Sequence, residues 1–439
     1  MAWDVVISGG GFGGLFAARQ LERSMPGHST RITLVNDVNF ILYTPFLPEA
    51  AAGTLEPRHV VTPLRDVLKE TRLILGAVIG RDAARRVVTV RGPEGEHELQ
   101  YDRLLVAHGS VSRVLPVPGL EEHAIGFKTL ADAIWLRNHV IQSLEFADAS
   151  DDPAEREQLL TFVFVGGGYA GLEALAELQD LAADALEFYP RARLHGMRWL
   201  LAEATGRVLP EIDLELAEYA LAQLRSRGID VRLGTTIEEV GPRSTRLSTG
   251  ETIPTRTVVW TAGVRPHPST RNLGLPLDEH HRIPVDEQLR VHGEEDVWAV
   301  GDCAAVPDPA RPGEACPPTS QHAIRQGRTA GRNIAASLGR GQPVPFTYKT
   351  LGQFVNLGRY KAVALVMGLK LRGFPAWWLA RTYHVSQIPG AARKIRAVLD
   401  WTIGLAFRRD IAEVGSIGHP TPLRPEPAPA EQAHGVRPD

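Results

Sequence analysis

Asp4-Val5-Val6-Ile7-Ser8-Gly9-Gly10-Gly11-Phe12-Gly13-Gly14 decides how the whole chain is read. An apolar strand runs into a glycine turn, and Leu15-Phe16-Ala17-Ala18-Arg19-Gln20-Leu21 continues with helical periodicity. A second strand, Arg31-Ile32-Thr33-Leu34-Val35, ends at Asn36-Asp37. Gly9, Gly11 and Gly14 fit G-x-G-x-x-G between strand and helix. Gly9 permits the tight turn, Gly11 lets backbone approach a pyrophosphate, and Gly14 lets helix and strand pack closely. The helix start then offers unpaired N–H groups and a positive dipole end to phosphate.

The device returns. Phe162-Val163-Phe164-Val165 leads into Gly166-Gly167-Gly168-Tyr169-Ala170-Gly171, a helix from Leu172, and the strand Met197-Arg198-Trp199-Leu200-Leu201. One such motif is weak evidence; two copies in the same strand–helix context predict two dinucleotide sites. The ends of the second strands differ. Glu203 in the second unit suits a ribose 2′-hydroxyl and repels a 2′-phosphate, which predicts NADH over NADPH. Asn36 holds the matching place in the first unit and still offers a hydrogen bond to ribose.

Two later segments read as returns to the first unit. Asp102-Arg103-Leu104-Leu105-Val106-Ala107 ends at His108-Gly109-Ser110, and Asp296-Val297-Trp298-Ala299-Val300 ends at Gly301-Asp302. Asp302 can accept from sugar or ribityl hydroxyls, or cap a helix. The expected fold is α/β, with two Rossmann-like dinucleotide-binding domains, one inserted in the other, and a C-terminal α/β extension.

Composition bounds the rest. The chain has 439 residues, is 44% hydrophobic and 23% charged, and carries net charge −3. That balance gives no electrostatic basis for nucleic-acid binding. Two cysteines, Cys303 and Cys316, exclude a disulfide scaffold and a four-thiolate cluster, and no metal site is expected. No apolar run approaches the ~18 residues of a membrane-spanning helix. The N-terminus runs straight into a strand, so no signal peptide is read and a cytoplasmic chain is expected.

These motifs resemble the two-dinucleotide-binding flavoproteins, and among them most closely the type II NADH dehydrogenases, which reduce quinone without pumping protons. The resemblance spans about residues 4–415. It is carried by Thr44-Pro45, Trp260-Thr261-Ala262-Gly263, Gly301-Asp302-Cys303-Ala304 and the run Pro318-Thr319-Ser320-Gln321-His322-Ala323-Ile324-Arg325-Gln326-Gly327. It implies a glutathione-reductase-like architecture. Residues 1–115 and 265–344 would form the FAD-binding domain and 116–264 the NADH-binding domain. FAD would lie on Gly9, Gly11, Gly14, Asn36, Thr44, Gly109, Gly301, Asp302, Gln321, His322 and Ala323. NADH would lie on Gly166, Gly168, Gly171, Glu203 and Gly263. Thr319 or Ser320 would cap a helix whose positive end favours negative charge on the flavin's pyrimidine ring.

The resemblance makes Gln321 and Gln326 the quinone-side amides, although Ser320 replaces a usual alanine. It makes Glu173 a candidate for proton or substrate handling. It implies menaquinone or ubiquinone as partner, a place in a respiratory chain, and a homodimer. Disulfide or sulfide chemistry is disfavoured because Cys303 and Cys316 form no close pair; Cys303 is read as packing. Two alternatives stay open: a soluble FAD-dependent NAD(P)H oxidoreductase with a non-quinone acceptor, and a redox-silent NADH-responsive binding protein.

Residues 345–418 hold eleven Lys or Arg against three Asp or Glu. Ile395, Val398, Leu399, Thr402, Ala406 and Phe407 recur at helical spacing, with Trp377, Trp378 and Trp401 as aromatic anchors. A basic amphipathic helix suits an anionic membrane surface, here the inner face of the cell membrane. The rival reading is a helix packed on the FAD domain. Residues 419–439 are expected to be disordered.

Overall fold

The computed structural model describes residues 2–413 except 26, 28, 29, 349 and 351; the tail 419–439 lies outside the described residues. Two parallel five-stranded sheets form the frame. In the first, the order is Val297–Ala299, Arg103–Val106, Trp3–Ser8, Thr30–Asn36, Arg72–Leu75. In the second, it is Ala124–Gly126, Thr257–Trp260, Thr161–Val165, Arg198–Glu203, Asp230–Leu233. Parallel strands covered on both faces read as continuous apolar runs, and Thr161–Val165 is buried at every position.

Each sheet also carries a three-stranded antiparallel unit. Ala77–Asp82, Val87–Gly92 and Gly95–Gln100 serve the first, and Ile237–Val240, Ser244–Leu247 and Thr252–Pro254 the second. Between the sheets, Ser110–Ser112 and Val264–Pro266 pair as an antiparallel ribbon. The outgoing and returning chain therefore run side by side.

Helix Ser320–Ser337 crosses helix Phe12–Ser24 closely enough to exclude side chains. A Cβ on Gly327 would lie 2.2 Å from Gly13 O, and one on Gly331 would lie 2.8 Å from Ala17 O. This crossing brings the start of the late helix beside the first glycine turn.

The C-terminal extension has an antiparallel sheet, Gly352–Asn356, Ala362–Val366 and Leu369–Arg372, followed by helices Gly373–Gln387 and Ala391–Ala406. The last helix has two distinct faces. Ala397 is buried and Asp400 accepts from His59 Nδ1 at 2.6 Å, so one face docks on the first domain. Ile395, Leu399 and Ile403 remain exposed on the other. Of the three expected aromatic anchors only Trp378 faces outward; Trp377 is buried and Trp401 packs edge-on against Phe46. Residues 408–413 then strap back across the second domain, where Arg137 donates to the carbonyls of Asp410 and Ala412.

Candidate functional site

Both glycine turns are shaped by what they must avoid. Gly9 and Gly166 have φ of +103° and +107°, a region that favours glycine. A Cβ on Gly14 would lie 1.8 Å from Gly9 O, and one on Gly171 would lie 2.1 Å from Gly166 O. Gly11 and Gly168, by contrast, face open space, with no atom within 4 Å of a Cβ position. Each starts a helix with no side-chain cap and no acid in its first turn. An open approach to uncapped N–H groups is what a pyrophosphate requires. Both turns fit a dinucleotide.

The side chains at the strand ends reach back to these turns. Asn36 Oδ1 accepts from Gly10 N at 2.7 Å, and Glu203 Oε2 accepts from Gly167 N at 2.5 Å. Glu203 Oε1 also accepts from Thr205 N at 2.7 Å. Each carboxylate oxygen retains a lone pair for a ribose hydroxyl.

At the first site, Thr44 begins a short 3-10 turn, Gly109 and Gly301 have φ of +68° and +74°, and the approach to Gly109 is open. Gly263, with φ +90°, opens the same way beside the second turn. Asp302 caps nothing: it accepts from Ser110 Oγ at 2.5 Å, with Lys128 Nζ 3.8 Å away. Lys128 carried no sequence signal. His108 lies between Ser8 Oγ and Ser269 Oγ, and burial, with His267 nearby, lowers its pKa to about 4.

Thr319 caps helix Ser320–Ser337, its hydroxyl accepting from His322 N. His322 Nδ1 lies 2.7 Å from the same hydroxyl, and burial lowers the ring's pKa. Ala323 is buried, its Cβ 3.7 Å from a Cβ position on Gly301. Gln321 is half-buried; its Oε1 accepts from Tyr348 OH at 2.6 Å, and its Nε2 donates to Gly352 O. Gln326 departs from expectation. It is 2% exposed and its Oε1 accepts from Gly301 N at 2.8 Å. Its amide faces inward because the close helix crossing turns that side toward the first sheet. It holds the Gly301 turn.

Glu173 lies about one turn into the helix that Gly168 begins, in a cleft with Glu49, Asn356, Arg381 and His384. Its Oε1 accepts from Asn356 N at 2.8 Å. Burial, aided by the charges of Glu49 and Glu177, raises its pKa to about 8. Beyond this cleft opens a cavity of ≈1090 Å³ between the C-terminal helices and residues 53–58. Trp378, Val398, Ile403, Leu405 and Phe407 line it and are also exposed. The sequence flagged Glu173 but not Glu49 or Arg381, whose partners come from elements remote in the chain.

Residues 3–327 match the family model described as pyridine nucleotide-disulphide oxidoreductase. A probable NADH dehydrogenase of Dictyostelium discoideum is 32% identical over 87% of this chain and 85% of its own. A type II NADH:quinone oxidoreductase of Mycobacterium tuberculosis is 31% identical over 91% of this chain and 87% of its own. The chain belongs to the type II NADH dehydrogenase family. The fold agrees: the structure of NDH2 from Plasmodium falciparum in complex with NADH superposes with TM-score 0.85 at 16% identity, covering 94% of this chain and all of that one. The cofactors of this type II NADH dehydrogenase are FAD and NADH. Its two cysteines are buried and free, and burial pushes their thiols up to about 11 for Cys303 and about 12 for Cys316. Thiols so raised are poor nucleophiles, so the disulfide exchange in the wider family's description has no counterpart here.

Proposed function

We propose that the protein passes reducing equivalents from NADH through flavin to a quinone drawn directly from an anionic membrane. One observation carries the reading. The exposed apolar side chains Trp378, Val398, Ile403, Leu405 and Phe407 form the mouth of the ≈1090 Å³ cavity. A lipid-soluble acceptor therefore meets one apolar surface outside and inside, while NADH binds at the second glycine-rich turn.

Flavin, when bound, supplies the hydride-accepting and electron-donating chemistry. The chain supplies position and charge. The first turn, Thr44, Gly109, Asp302 and the start of helix Ser320–Ser337 hold FAD, and that helix's positive end stabilises negative charge on the ring. Glu203 and Gly263 orient NADH. Gln326 fixes the Gly301 turn. Gln321, tied to Tyr348 and to the carbonyl of Gly352, is the amide on the acceptor side. With a pKa of about 8, Glu173 holds a proton at neutral pH and lies in the cleft next to the acceptor's cavity. Quinone reduction consumes protons, and Glu173 is positioned to give one.

Among the described residues no helix is long and apolar enough to cross a membrane. The exposed apolar stripe of the last helix, with Lys394 and Arg396 beside it, supports peripheral attachment, which we assign to the inner face of the cell membrane. Stopped-flow kinetics on Gln321→Ala tests the acceptor side. Reoxidation by a quinone analogue should slow about tenfold, the factor that ~1.4 kcal/mol corresponds to, while reduction by NADH keeps its rate. Equal slowing of both half-reactions would contradict the assignment.

A further inference from the structure

The large cavity and the small cleft meet at two side chains: Arg381 and Trp377 line both. The guanidinium carbon of Arg381 lies 4.0 Å from the centre of the Trp377 ring and 4.5 Å from that of Trp401. The planar cation is thus sandwiched between two indoles. Its Nη2 lies 3.4 Å from Glu49 Oε1, and Trp401 Nε1 donates to Glu49 Oε2 at 2.7 Å. Glu49 is 4% exposed, so its charge and that of Arg381 offset each other locally.

Two donors at this throat have no acceptor among the described residues: Arg381 Nε and Trp377 Nε1 are both buried and unpartnered there. A buried donor left unpaired is costly. Here two stand together where a passage of ≈1090 Å³ narrows to a cleft of ≈20 Å³. The cleft has room for about one water, so a ring stops at the throat, on the side of the large cavity.

We propose that Arg381 and Trp377 form a specificity-determining throat that recognises the acceptor by its carbonyl oxygens. The inference rests on the reading that the acceptor enters through the large cavity. The two donors meet oxygen on a flat ring that approaches from the large cavity, while the indoles keep the guanidinium in place between them. The local balance of Arg381 and Glu49 favours a neutral ring over an anionic one. Neither residue exchanges protons or electrons; both position the acceptor.

The test uses the FAD-loaded full chain with menadione as probe. Trp377→Phe removes one N–H and keeps the ring. Arg381→Lys keeps the charge and loses the planar fork. Each should raise the menadione KM about tenfold and weaken menadione quenching of tryptophan fluorescence in parallel. Reduction by NADH and reoxidation by ferricyanide should not change. Wild-type menadione affinity in both variants overturns the throat. Gly404→Trp separates this failure from failure of the cavity reading. Gly404 lines the cavity and has open space at its Cβ position. If Gly404→Trp raises the menadione KM while the throat variants do not, the cavity stands and the throat is wrong. If none of the three raises it, the cavity reading falls too.

Discussion

Glu203 Oε2 accepts the backbone N–H of Gly167 at 2.5 Å, so the carboxylate proposed to face the NADH ribose is held by the glycine turn proposed to face its phosphates. A 2′-phosphate would meet this fixed negative charge. Glu203→Gln keeps an acceptor for Gly167 N and removes the charge. The ratio of kcat/KM for NADH over NADPH should fall about tenfold in the variant. An unchanged ratio would remove Glu203 from cofactor choice.

The glycines of the second turn separate folding from binding. Gly168→Ala points its methyl into open space at an ordinary φ of −80°. It should leave Tm within about a degree and raise the NADH KM, because the methyl occupies the phosphate approach. Gly171→Ala would drive its methyl against Gly166 O and Thr261 Oγ1. Overpacking of this kind costs ~1–3 kcal/mol, so Tm should fall as well. Thermal scans and steady-state kinetics on both variants check the contrast.

Glu173 gives the protein a definite pH signature. Its folded pKa of about 8 lies above the ~4.3 of an unfolded glutamate. The folded state therefore binds this proton more tightly. The resulting stability is complete below the unfolded value and is lost as pH rises towards about 8. Glu49 and Glu177 face the same carboxyl and add to the loss, while Arg381 and Arg409 pair with those two neighbours. Glu173→Gln fixes the neutral form. Its Tm should gain on the wild type by a few degrees between about pH 5 and pH 8. A constant Tm difference across that range would contradict a proton held at Glu173.

Membrane attachment should depend on the outer stripe of the last helix. Replacing Ile395, Leu399 and Ile403 together by serine leaves the docking residues Ala397, Asp400 and Trp401 intact. Flotation with anionic vesicles should be strong at low salt, fall as salt rises, and be lost in the triple variant. Turnover with a water-soluble quinone should persist. Retained flotation in the triple variant would place the contact elsewhere.

Much of this was readable from spacing alone. The two G-x-G-x-x-G turns, their flanking strands and Thr319 as a helix cap depend on neighbours close in sequence, and local chemistry fixes them. The direction of Gln326 was not legible because it depends on how helix Ser320–Ser337 crosses helix Phe12–Ser24, a contact made by glycines far apart in the chain. Arg381 was one basic residue among eleven in its segment. Trp377 is its i−4 neighbour on the same helix, but Glu49 and Trp401 come from two other elements, and periodicity gives no sign of that meeting. The amphipathic helix was visible, but its two faces became distinct only when Asp400 met His59.

The central claim is electron flow from NADH through bound flavin to quinone, and anaerobic mixing tests it most directly. Purified protein should show the visible absorbance of oxidised flavin, lose it within one turnover of added NADH, and regain it on adding menaquinone or ubiquinone analogue. Absorbance that NADH does not bleach, or that quinone does not restore while ferricyanide does, would contradict the account.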